Sequence, residues 1–259
     1  MRPALVVAVN ERDLQSIPGL GAGRDSFDSY WFEVWSQAHK LLAAGVRPLL
    51  RPFDPEDFIR YCRAAGLPDR SLEAFATYVR QEVLEDELVA FQGEPPEMLL
   101  QLAANERDAV AMLTRCRRVL DVAVDQFGTE ARTWARTLAS AVLDAVLEQS
   151  AEGDEVVLVA KAGGGLPLGA YSISVPCRGP EGERDRTRLT TLLAAACLAS
   201  AKGVLVLRRH TGESPEVHVW ELANQRLTPS EHGQLILERE GVGGEMERYV
   251  PGFALPQPR

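Results

Sequence analysis

Apolar and polar positions recur in recognisable periods along the chain. The first run, Ala4 to Val9, is continuous enough for a buried strand. A loop from Ser16 to Gly23 follows, rich in residues that break regular structure. Phe27, Trp31, Val34, Trp35, Ala38 and Leu42 then share one helical face until Gly45 stops the helix, with His39 assigned to the solvated side. Val46 to Leu50 reads as a second strand, placed at an edge by Pro48. Asp54-Pro55-Glu56-Asp57 opens the next helix with an aspartate cap, a proline in the first turn and acids against the dipole. Its stripe is Phe58, Ile59, Cys62 and Ala65, and Gly66-Leu67-Pro68 ends it. Ser71 caps a further helix holding Leu72, Phe75, Val79, Val83 and Leu84. After the break at Gly93-Glu94-Pro95-Pro96, the spacing predicts two long helices over about 97–126 and 130–149.

At Glu152-Gly153-Asp154 the pattern turns from helical to strand-rich, and a domain boundary is expected there. Glu155 to Lys161 and Leu168 to Val175 form a hairpin around Ala162-Gly163-Gly164-Gly165-Leu166-Pro167. Arg178 to Arg184 reads as a polar loop, and Thr187 to Ala201 as a helix. Strands follow at Val204 to Arg209 and around Val217, Val219 and Leu222. Thr228-Pro229-Ser230-Glu231 has the form of a capping box opening a last helix through Leu235 and Leu237. The tail, 243–259, carries Tyr249, Val250, Phe253 and Leu255 between prolines, and is expected to lie extended with Tyr249 and Phe253 partly buried. The fold class is therefore α/β. A mainly helical region (1–150), beginning with a strand–helix–strand unit, precedes a small α/β domain with a mixed sheet (153–242) and the extended tail.

Composition narrows the function classes. With 46% apolar and 25% charged residues the chain is globular rather than disordered or fibrous. A net charge of −9 argues against sequence-independent binding to phosphate backbones. The arginine clusters Arg115-Arg117-Arg118, Arg184-Arg186-Arg188 and Arg208-Arg209 lack interleaved aromatics, so nucleic acid is a partner that charge does not indicate. Cys62, Cys116, Cys177 and Cys197 are widely separated within apolar patterns, as buried free thiols would be. No apolar run reaches the roughly 18 residues of a membrane span, and the first is too short for a signal segment; a cytoplasmic protein without membrane contact is expected. Lysine occurs only at Lys40, Lys161 and Lys202, a bias toward arginine that suggests a GC-rich bacterial source.

Candidate chemistry is sparse. The glycines at 163–165 join two strands, whereas a phosphate-cradling loop opens a helix, so they read as a hairpin turn. Gly19, Gly21 and Gly23 stand too far from the preceding strand for a dinucleotide fingerprint, and Arg24 stands where the sixth-position glycine would be. His210, His218 and His232 fall within one short region and are the candidate metal ligands, although their spacing matches no metal motif. Glu213 and Glu216 are candidate general bases beside them. Cys177, near Arg178 and Arg184, is a candidate nucleophile if its thiol pKa is lowered.

One resemblance bears on residues 155–240. The segments Glu155 to Ala160, Leu166 to Tyr171, Thr191 to Ala196 and Ala199 to Leu207, followed by Arg209-His210-Thr211-Gly212-Glu213, resemble a RadC-type JAB/MPN domain. In that family two histidines and an aspartate hold zinc, and a glutamate acts on the bound water. Here Arg208-Arg209-His210-Thr211-Gly212 supplies one histidine where the family has two. Gly233, in Thr228-Pro229-Ser230-Glu231-His232-Gly233, stands at the aspartate position. The resemblance implies a scaffold with an incomplete zinc site: no cofactor, and an accessory protein acting through protein contacts. The alternatives are a divergent zinc-dependent hydrolase, and a nucleic-acid-associated factor of a DNA-processing or mobile-element system.

Overall fold

Strand β1 (Ala4–Val7) runs parallel to β2 (Leu49–Pro52), which pairs antiparallel with the two-residue β3 (Val89–Ala90). The computed structural model describes residues 4–20, 26–69, 71–81, 87–162, 167–210, 215–241 and 247–257. Between β1 and β2 come the short α1 (Glu11–Ser16) and α2 (Phe27–Ala43); α3 (Pro55–Ala65) and α4 (Leu72–Val79) lead to β3. Asn10, Ser26, Asp54 and Ser71 each cap their helix by accepting from a backbone N–H two or three residues on. The long α5 (Pro96–Phe127) contains the division between two compact units, Met1–Ala111 and Met112–Arg259. That division lies well before Glu152-Gly153-Asp154, so the second long helix belongs with the strands that follow it. The first unit is held by aromatic side chains. Phe53, Phe58, Phe75 and Tyr78 meet at tilted and edge-on angles, and the Trp31 and Trp35 indoles donate to Pro96 O and Glu94 O at 2.8 and 2.9 Å.

The second unit continues through α6 (Thr129–Glu148) into β4 (Glu155–Lys161), β5 (Pro167–Ser174), α7 (Gly179–Leu198), β6 (Lys202–Arg209), β7 (Glu216–Ala223), β8 (Arg226–Pro229), α8 (Gly233–Glu240) and β9 (Arg248–Pro251). Its sheet has the order β5-β4-β6-β7-β8, antiparallel throughout, with β9 added parallel to β7. Alternation sorts the side chains of β4, β6 and β7. Val156, Leu158, Leu205, Leu207, Trp220 and Leu222 share a core with α6 and α7, while Val157, Val159, Val204, Val206, Val217 and Val219 share another with Ile236 and Leu237 of α8. The architecture is α/β, helix-rich in its N-terminal part, with a mixed sheet.

Several local expectations differ from the structure. α1 and β3 are too short to show a period. β2 is the central strand of its sheet, because Pro48 precedes the strand and keeps its carbonyl for Phe91 N. α7 begins at Gly179, so the polar stretch to Arg184 is the solvated first turns of a helix rather than a loop. Thr228 and Pro229 end strand β8; α8 starts later, with His232 at its N-cap and no side-chain cap bond. Val83 and Leu84 lie outside the described residues.

The tail packs against β7 and β8. Gly252 N donates to Val219 O, Trp220 Nε1 to Phe253 O at 2.7 Å, and Gln257 Nε2 to Leu227 O at 2.9 Å. Gly252 lies flat on the buried Trp220: a Cβ there would stand 2.0 Å from Cε2 of the indole. Gly252→Ala is therefore expected to cost about 1–3 kcal/mol through overpacking, read as a lowered midpoint in denaturant. A midpoint equal to the parent's would show that the tail does not seat on Trp220. At the C-terminal end of β4 Lys161 Nζ lies 2.7 Å from Glu240 Oε2, and Arg239 Nε 3.1 Å from Oε1. Burial pushes the Glu240 carboxyl up, but Lys161 and Arg239 outweigh it and hold the group below its ordinary value. A depressed folded-state pKa contributes stability that is present above the unfolded pKa of 4.5 and lost as pH falls through the folded value. Glu240→Gln is expected to flatten the loss of stability on acidification below that point, measured by denaturant unfolding across pH.

Candidate functional site

The candidate ligands cluster in sequence around the β6–β7 hairpin, and the sheet then separates them. His218 stands opposite Leu207 in the register and on the same face as Trp220, the α6/α7 face. Its ring stacks at 6.3 Å on Trp220 and meets Phe253 edge-on at 6.2 Å. Its Nε2 lies 2.9 Å from Glu216 Oε1, a contact without hydrogen-bond alignment, and among the described residues neither ring nitrogen finds a hydrogen-bond partner. His232 is exposed at the start of α8, the helix that covers the opposite face. His210 is exposed just beyond β6, where its backbone N–H donates to Asp154 Oδ1 at 3.2 Å. Glu213 lies outside the described residues. Among the described residues no three His, Cys, Asp or Glu side chains come together as metal ligands would. Gly233, at the position where the JAB pattern has its aspartate, packs against β7 so closely that a Cβ would stand 2.8 Å from Val219 Cγ2. A ligand side chain has no room there unless α8 moves.

Cys177 sits half-buried before α7, its thiol donating to Ser174 O at 3.4 Å. Burial and the nearby Asp185 carboxylate push the thiol up, and Arg186 only partly offsets them. The condition set for Cys177 as a nucleophile, a thiol lowered by its neighbouring arginines, is thus not met: desolvation and the Asp185 carboxylate outweigh Arg186. Cys62, Cys116 and Cys197 are buried free thiols, the last two pushed up to about 12 and about 11 by burial. His39 is also reassigned. It follows Trp35 by four residues, hence shares its helical face, and its ring lies 4.3 Å from Trp35 and 4.9 Å from Phe91.

Polar clusters unforeseen from the sequence join elements of the second unit, two at strand ends and one between α7 and β5. Arg208 donates to Glu155 Oε2 and Glu247 Oε1, both at 2.9 Å, and Glu247 accepts from the Tyr249 hydroxyl at 2.9 Å. Asp154, 2% exposed, accepts from Ala151 N and His210 N, with Arg209 Nε 3.8 Å away. The buried Arg188 reaches the Tyr171 hydroxyl, which donates to Asp185 at 2.7 Å; burial and that bond push Tyr171 up to about 12. These contacts span up to 56 residues, and no local signal announces them. They also engage the arginines of the C-terminal clusters: Arg186 pairs with Asp144, and Arg209 donates to Gln149 O. The glycine run at 163–165 lies outside the described residues, but it connects the antiparallel β4 and β5 rather than a strand and a helix.

Comparison of the chain with protein-family models, with curated proteins and with solved structures finds no match in any of the three. Among the described residues no helix is long and apolar enough to cross a membrane. The site chemistry rests on the residues themselves. A raised thiol is mostly protonated at neutral pH, so Cys177 is expected to react with iodoacetamide more slowly than a free cysteine and to gain rate as pH rises above 9. Mass spectrometry of time-resolved alkylation measures this; rapid labelling at pH 6 would restore Cys177 as a nucleophile.

Proposed function

We propose that the chain is an accessory protein acting through protein contacts, its second unit serving as a scaffold that resembles a RadC-type JAB/MPN domain without a working zinc site. The observation that carries this reading is the separation of the three histidines. His218 lies on one face of the sheet beside Trp220, His232 caps the helix on the other, and His210 is exposed beyond β6. Zinc hydrolysis needs several ligands on one ion and a base within reach of its water. The fixed polar groups of the second unit are spent on joining its elements: Arg208 and Asp154 at strand ends, and Arg188 between α7 and β5. A nucleic-acid role would draw on the same arginines, which carboxylates and carbonyls already hold. A cytoplasmic location accords with the reduced cysteines.

Zinc analysis tests the proposal. Purified chain, incubated with zinc and desalted, is expected to retain far less than one equivalent, and His210→Ala, His218→Ala and His232→Ala to leave that amount unchanged. One tightly held zinc per chain that is lost in His210→Ala would favour the hydrolase and sink the non-catalytic reading.

A further inference from the structure

We draw no further inference here: the strongest candidate, the apolar cavity between α6, α7, β8 and the tail, lined by Leu138, Val142, Leu193, Cys197, Leu227 and Pro256, has a volume of about 10 Å³, room for about one water molecule, and nothing in the structure shows what would fill it.

Discussion

Burial of β4 and β6 on both faces is the constraint from which the second unit follows. Val156 to Ala160 and Val204 to Leu207 are all 7% exposed or less. A strand with no polar face must have neighbours on both sides, because a buried N–H without a partner costs as much as a lost hydrogen bond. It must also have a layer above and a layer below. The layer on one side is α6 and α7, rich in alanine and leucine; on the other the short α8 and Tyr249 suffice. Close approach is built into the same arrangement. A Cβ at Gly203 would stand 2.0 Å from Val159 O, so glycine lets β6 lie against β4 where a side chain could not.

Charged groups appear where these strands end. Arg208 shares a face with the valines and would be an isolated buried charge without Glu155 and Glu247. Burial opposes its protonated form, and the two carboxylates reverse that effect and hold its pKa above the ordinary value. The first unit solves its own version of the problem with aromatic rings. Arg51 lies 4.1 Å over the Tyr78 ring and donates to Tyr78 O at 3.0 Å, while the Tyr78 hydroxyl donates to Asp57 at 2.9 Å. In both units the polar atoms serve to hold elements together.

The same sheet governs what chemistry is available. Strand alternation places His218 on the face opposite α8, and the hairpin register keeps it there. Bringing His218 and His232 to one ion would require a strand to turn over, not a side chain to rotate. The aromatic contacts of His218 with Trp220 and Phe253 give it a packing role instead.

Periodicity along the chain was enough to determine the α/β class, the two long helices, the β4–β5 hairpin and the strands β6 and β7. Each of these is long enough for its apolar pattern to repeat, and each pattern reports a face that becomes buried. Caps at Asp54 and Ser71 were equally legible, since a cap bonds only to its own first turn. Tertiary structure decided the rest. β3 and β8 exist because a neighbouring strand supplies their hydrogen bonds, and Thr228-Pro229-Ser230-Glu231 is drawn into that pairing instead of opening α8. Whether three histidines within 23 residues meet or part depends on which face each strand and helix presents, and that is settled by contacts far away in the chain.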